Sequence, residues 1–403
     1  MKQSAAIRAE PPEMTRNSGA GRTLVLASLN HALHDGFTDM IYVLLPVWQA
    51  EFTLDYVSLA ILRALYVGVL AALQVPSAHL ARHINARNIL VFGTLLSAAG
   101  YALAGLSGGL VGLCASLALA GAGGSTQHPL ASAAVSRAYG EKARGPLGTY
   151  NFAGDLGKAT LPPLISLLLT VMHWRPALGI AACLGALVAV LVRTLMPPVP
   201  APPVALATVT ESDIQSHGRG GFALLFSIGI LDTAVRMGFL LFLPFLLKAK
   251  GAPLTTVGWA LSLVFLGGAF GKAVCGWLGA RLGLLATVLT TEVGTAAAIL
   301  AVLALHLTGS LILLPFLGMM LNGTSSVLYG TVPELVAPKR IERAFALFYT
   351  GILGSSALSP VLYGRLGDAA GPVWATAAAA VTALAVVPLM LVLSPRLARP
   401  ARA

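Results

Sequence analysis

The sequence predicts an all-α membrane protein of 12 transmembrane helices in two pseudo-symmetric six-helix bundles. Three observations predict it. The 403 residues are 57% hydrophobic and only 10% charged, with a mean hydropathy of +0.82, whereas a soluble domain carries about 25% charged residues. Apolar runs of roughly 20 residues, enough to cross a bilayer as a helix, recur along the whole chain. Those runs fall six and six about a proline-rich interruption, and the two sets share landmarks at a constant offset.

The first six runs lie near 24–47, 57–77, 89–109, 111–137, 147–172 and 177–196. The second six lie near 221–248, 257–277, 285–307, 309–336, 342–367 and 372–394. Between them stands Met-Pro-Pro-Val-Pro-Ala-Pro-Pro-Val and then a polar stretch, the composition of a linker. The expected organisation is an N-terminal tail (1–22), a first bundle (23–196), a linker (197–220), a second bundle (221–394) and a C-terminal tail (395–403). Leu45-Pro46 recurs as Leu243-Pro244, about 198 residues on, which sets Asp232 beside His34 and Asp35. Gly154-Asp155-Leu156-Gly157 with Pro163 parallels Gly351-Ile352-Leu353-Gly354 with Pro360. In transporters such repeats enclose a site near the midplane.

Basic residues set the expected orientation. Arg82, Arg87, Arg137, Lys142, Arg144, Lys339, Arg340 and Arg343 occupy loops on one side, and Arg396, Arg399 and Arg402 close the chain. The opposite loops hold Arg175, Lys248, Lys250 and Arg365. The positive-inside rule then places both termini in the cytoplasm of a bacterial-type inner membrane. The net charge of +11 is explained by these loops, so no nucleic-acid partner is expected. Cys114, Cys183 and Cys275 all lie in apolar runs without metal-ligand spacing, so neither a disulfide framework nor a metal is expected. No signal-peptide cleavage site follows the first run. A phosphate-binding Gly-x-x-x-x-Gly-Lys-Ser/Thr loop and a His-Glu-x-x-His zinc signature are both lacking, so no cofactor and no enzyme are expected.

The first span is the informative one. His31, His34, Asp35, Thr38, Asp39 and Tyr42 fall at i, i+3, i+4, i+7, i+8 and i+11, one stripe of a helix. Carboxylates facing lipid are costly, so the stripe should face protein or water. Polar glue between helices is one reading; a substrate or proton path is the other. The fifth span carries Asn151, Asp155 and Lys158 on one face, and the seventh carries Asp232 and Arg236 one turn apart. Arg236 suits a carboxylate, phosphate or phosphonate, unless Asp232 simply neutralises it. On the second span Gln74 lies deep, while Arg63, near the end, is expected to snorkel. His128, just before Pro129 on the fourth span, suits a proton relay or a structural hydrogen bond. Lys272 is expected to snorkel from the eighth span, and Glu292 on the ninth is a structural partner or a proton site.

The twelve spans and their duplication resemble the major facilitator superfamily. The family motif Gly-x-Leu-Ala-Asp-Arg-x-Gly-Arg-Lys has a degraded copy at Ala78-His79-Leu80-Ala81-Arg82-His83-Ile84-Asn85-Ala86-Arg87 and a closer one at Gly276-Trp277-Leu278-Gly279-Ala280-Arg281-Leu282-Gly283. Both lack the aspartate, replaced by Arg82 and Ala280, so the gating contacts on that side must differ. Gln127-His128-Pro129-Leu130-Ala131, Arg144-Gly145, Gly154-Asp155-Leu156-Gly157 and Leu161-Pro162-Pro163-Leu164 are similar to the fosmidomycin-resistance branch, with His31, Asp35 and the Leu-Pro end of the first span. Gln127, Asp155, Lys158 and Pro162 depart from the branch pattern.

That resemblance implies proton-coupled export of a small organic or drug-like solute, anionic ones included. Asp35, Asp39, Asp232, His34 and His128 are the proton-coupling candidates. Arg236, Asp155, Lys158, Asn151, Gln74, His31 and Tyr42 are the substrate-binding candidates. The expected partners are a small-molecule substrate, protons and the lipid bilayer, with the chain a monomer. Uptake of an anionic nutrient by proton symport is the alternative, and a non-transporting receptor or assembly protein on the same scaffold is a further one.

Overall fold

The computed structural model describes residues 13–81, 83–198, 219–336 and 341–397. Among these residues there are twelve α-helices and no strand. The first half holds α1 (Glu13–Phe52), α2 (Tyr56–Leu80), α3 (Ala86–Gly105), α4 (Leu110–Gly124), α5 (Gln127–Tyr139), α6 (Arg144–Val171) and α7 (Trp174–Leu195). The second half holds α8 (Arg219–Ala249), α9 (Leu254–Ala304), α10 (Leu307–Thr331), α11 (Ile341–Ala370) and α12 (Pro372–Leu393). α1 begins at Glu13, inside the stretch expected to be tail. Most of the expected linker lies outside the described residues, as do Arg82, Lys339, Arg340, Arg399 and Arg402.

Helices and spans differ at two places, for two reasons. The fourth span is α4 plus α5, broken at Ser125 and Thr126. Pro129 has no N–H for the Ser125 carbonyl. Ser125 Oγ donates to Ala122 O at 2.7 Å and Thr126 Oγ1 to Gly123 O at 3.1 Å, drawing the turn inward. The eighth and ninth spans are the two parts of α9, whose 51 residues would be about 77 Å long if straight. Gly283 interrupts it at φ 79°, ψ 169°, a conformation glycine adopts without a Cβ penalty. Val264, Gly271 and Gly279 lie against Gly318, Met319 and Val327, so the first part runs parallel to α10. Thr291, Gly294 and Val302 meet Thr324, Met320 and Ser310 in the reverse order. The chain therefore turns back at Gly283.

Nine stretches of the described residues are long and apolar enough to cross a membrane, α9 among them. The two helices missing from that set, α1 and α6, carry the ionisable stripes. With both included and α9 crossing twice, the twelve expected crossings are all accounted for.

Each half packs around its own helices: α1 on α6 and α3 on α7 in the first, α8 on α12 and α9 on α10 in the second. Between the halves two seams stand out, α2 against α11 and α6 against α9. These are the second span on the eleventh and the fifth on the eighth, which the pseudo-symmetry interchanges. Within the first half α1 and α6 come together backbone to backbone. A Cβ on Gly36 would meet Gly157 O at 2.8 Å, and one on Gly157 would collide with the Ala32 backbone. Small residues permit this approach.

The end where α1 turns into α2, expected to be the outer face, is tied across the halves. Asp368, at the finish of α11, accepts the Tyr56 N–H at 2.7 Å and the Val57 N–H at 3.0 Å. A carboxylate there answers both the unpaired amides and the positive end of the helix dipole. The Tyr56 ring stands edge-on to Phe242 and Phe245, with centroids 5.2 and 5.1 Å away. On the other seam Ser262 Oγ of α9 donates to the Ala159 carbonyl of α6. A cap of this kind is worth roughly 0.5–2 kcal/mol. Asp368→Ala should therefore loosen this end. Spin labels at the exposed Thr53 and Ala369, read by pulsed dipolar spectroscopy in nanodiscs, should gain a longer-distance population; an unchanged distribution would rule the latch out.

Candidate functional site

The stripe of α1 faces α5 and α6, and glycine decides how closely. A Cβ on Gly154 would sit 2.7 Å from both Asp35 Oδ2 and His31 Nε2. Its absence lets one ammonium group and two imidazoles converge on Asp35. Lys158 Nζ lies 3.1 Å from Oδ2, His31 Nε2 lies 3.4 Å from Oδ2, and His128 Nε2 lies 3.7 Å from Oδ1. Lys158 is 3.7 Å from Asp155, farther than from Asp35. Asp155 instead receives Lys272 of α9, whose Nζ is 2.7 Å from each carboxylate oxygen. Asp35, Lys158, Asp155 and Lys272 thus form a chain of alternating sign from the core of the first half to the second.

Two carboxylates against two ammonium groups leave the chain of four neutral. That matters because an unpaired charge at this depth would cost several kcal/mol. The acids are the hidden members, with side chains 11% and 10% accessible for Asp35 and Asp155. The bases are the reachable ones, at 29% for Lys158, 36% for His128 and 42% for Lys272. Lys158 and Lys272 come from opposite halves to the same carboxylate, so the contact spans the seam. By type and spacing, His31, Asp35 and His128 could also hold a metal ion. The positive charge beside Asp35 in this arrangement is the Lys158 ammonium.

A second group lies farther along α1. Arg63 Nη2 donates to Asp39 Oδ1 at 3.2 Å, and its guanidinium stacks over Tyr42, 4.9 Å from the ring centroid. Arg63 is 2% exposed, so it does not snorkel; the buried Asp39 and the ring face hold it inside. The Tyr42 hydroxyl reaches Met237 of α8 at 3.6 Å. Next to Met237, Arg236 makes no ion pair among the described residues. Its closest polar contact is Asn322 Oδ1 at 3.5 Å, and its Nε is buried without a partner. Asp232, one turn back, makes no ion pair with Arg236 among the described residues; the buried Glu292 of α9 is its acidic neighbour.

His34, Asp232, Gln74 and Asn151 stand outside the Asp35 cluster. His34 Nε2 meets Thr94 Oγ1 at 3.1 Å, Thr94 donates to Asn30 at 2.9 Å, and Asn30 donates to Gln127 at 2.5 Å. That network ties α1 to α3 and α5 inside the first half. Gln74 keeps a buried Nε2 without a partner, and Asn151 is exposed. The residues that sequence reasoning undervalued are Lys272 and Arg63. Both looked able to reach water from a helix end, and both find a carboxylate instead. The signal for them was the count of buried acids: Asp35, Asp39 and Asp155 exceeded the cations assigned to them.

The comparisons with known proteins agree with this architecture. The Major Facilitator Superfamily matches residues 27–224 and again 224–403. No curated protein matches the sequence. A bacterial homologue of the human lysosomal transporter Spinster, inward-facing and occupied, is similar in structure with a TM-score of 0.79 at 15% identity, covering 98% of this chain and 100% of its own. A peptide transporter, POT, in complex with sulfate gives 0.77 at 13% identity, covering 94% and 98%. A nucleoside transporter gives 0.76 at 14%, covering 93% and 99%. With both halves matched and a charged seam between them, the chain belongs to the major facilitator superfamily and is a secondary transporter of the membrane, not an enzyme.

Proposed function

We propose that this transporter is proton-coupled and exports a small organic or drug-like solute by alternating access. The observation that carries the proposal is the Asp35–Lys158–Asp155–Lys272 chain across the seam. To open the closed end, α6 must part from α9, and Lys272 must leave Asp155. In the neutral, unloaded state that separation would strand buried charges of both signs. A proton on the acid cluster, or a solute group that replaces one of the partners, removes the penalty. Only loaded forms would then cross, which is the requirement for coupling. A drug-like solute that donates to Asp35 competes with the proton for the same group, and competition gives antiport. The similarity of His128-Pro129 and of Gly154 and Gly157 to the fosmidomycin-resistance branch supports export, because His128 and Gly154 both border Asp35, while Asp155 and Lys158 depart from the branch pattern. The intended setting is the inner membrane of a bacterial-type cell, with both termini cytoplasmic and the monomer as the working unit.

A second reading has its own observation. Arg236, near the middle of α8, has no ion-pair partner among the described residues and is suited to a carboxylate or phosphonate. A proton on the Asp35 cluster frees positive charge, which strengthens the pull on an anion. Proton and anion would then bind together, as a symporter for an anionic nutrient requires. Solute charge and direction of coupling are therefore linked: a cationic or neutral donor favours antiport, an anion favours symport. Expression in a sensitive host separates them, since export lowers and uptake raises accumulation of a toxic solute.

Asp35→Asn should abolish proton-coupled transport while folded protein still reaches the membrane. Normal substrate-driven proton flux from that variant in reconstituted vesicles would defeat the proposal. Arg236→Gln should cost anionic ligands about tenfold to a hundredfold in affinity, the loss of one charge-assisted contact. A thermal-shift series with phosphonates, sugar phosphates and cationic drugs checks it. Equal loss for cationic drugs would show that Arg236 is not an anion contact.

A further inference from the structure

The geometry points to an anionic phospholipid seated in a groove between α3 and α7, a site that shares no residue with the ion chain. Asn88, Val91, Phe92 and Leu95 of α3 and Arg193 of α7 line this groove, whose volume is about 240 Å³. The four α3 residues fall at i, i+3, i+4 and i+7, one stripe of that helix. Asn88 stands in the first turn of α3 and Arg193 in the last turn of α7, so the polar end of the groove lies where one helix starts and the other stops. That is the end expected to be cytoplasmic. From Asn88 to Leu95 the stripe runs about 10 Å along the helix, away from that end. Phe92 is 62% exposed and Leu95 44%, and Leu187 and Val190 of α7 are exposed beside them in the sequence pattern. An apolar surface of this kind on a spanning helix is covered by acyl chains.

Charge selects the occupant. Neither α3 nor α7 carries an acidic residue, and Arg193 makes no ion pair and no hydrogen bond among the described residues. Its counter-charge must come from outside the two helices. Asn88 adds an amide that can donate beside the guanidinium, and the first turn of α3 adds the positive end of its dipole. Arg87 holds the walls together: its Nη1 donates to the Met196 carbonyl at 3.0 Å, tying the finish of α7 to the start of α3. An arginine that merely snorkels needs only the headgroup region at large. Here an apolar track begins one turn below the cation, which is the order of parts in a phospholipid. A phosphate on Arg193 and Asn88 places the attached acyl chain over Phe92 and Leu95. A zwitterionic lipid is the poorer occupant, because its ammonium group finds no carboxylate on either helix.

The test titrates the delipidated full-length protein in detergent with dioleoyl phosphatidylglycerol and counts bound lipids by native mass spectrometry. The first phosphatidylglycerol should bind about fivefold to tenfold more tightly than dioleoyl phosphatidylcholine, the effect of one charge-assisted contact. Arg193→Gln should remove that preference. Leu95→Trp fills the groove and leaves the charge, and should weaken phosphatidylglycerol by about as much. Arg137→Gln, at another exposed arginine in the last turn of a helix, should change nothing. Thermal-shift curves show that each variant is folded, and in the unaltered protein they should rise with phosphatidylglycerol. The assignment is overturned if the two lipids bind alike, if Arg193→Gln keeps the preference, or if Leu95→Trp binds normally. An equal loss in Arg137→Gln would also overturn it, since the attraction would then be diffuse surface charge. Glycerol 3-phosphate is the last arm: displacement of the lipid at equal concentration would make this a site for a free anion and defeat the lipid assignment.

Discussion

Compensation of charge within the seam governs the arrangement of this protein. Asp35 and Asp155 are buried where an ionised carboxylate alone would be too costly, and Lys158 and Lys272 are present at the distances that make it tolerable. Everything near them serves that geometry. Glycine at position 154 makes the room, close contact of α1 with α6 fixes the register, and the network from His34 through Thr94 and Asn30 to Gln127 holds α1 in place. Because the four groups come from both halves, what stabilises one packing of the halves is also what a load must disturb. Stability of the resting form and the barrier to movement share a cause.

Much of the fold was legible in the sequence. Lipid requires that every backbone group be bonded within its own helix, so length and hydropathy of the runs almost determine the crossings. One exception came from a single residue: Pro129 splits a span that composition alone would leave whole. The return at Gly283 falls in the gap expected between the eighth and ninth spans. α1 and α6 were legible for the opposite reason: their polar stripes lower their hydropathy but keep a helical period.

The site was legible along each helix and illegible between helices. The spacing of His31, Asp35, Asp155 and Lys158 placed them on faces, and the structure brings those faces together. What spacing does not encode is partner choice across helices. Asp155 and Lys158, three residues apart, looked like a pair, yet Lys158 lies closer to Asp35 and Asp155 takes Lys272. Arg236 looked matched to Asp232 one turn away and is not paired with it. His34 and Asp232 each belong to a different neighbourhood from Asp35, although the repeat aligns them. A duplicated backbone has diverged in its chemistry: the first half carries the ion chain, and the second contributes a lysine, an arginine and a separate pair of acids.

The close meeting of α1 and α6 has one more consequence. α6 touches α1 through Gly157 on one side and α9 through Ala159 and Ser166 on the other. A single methyl group at position 157 would therefore act as a wedge. It would push α6 sideways, change the angle at which the halves meet, and so retune turnover from a residue that bears no charge and meets no cargo.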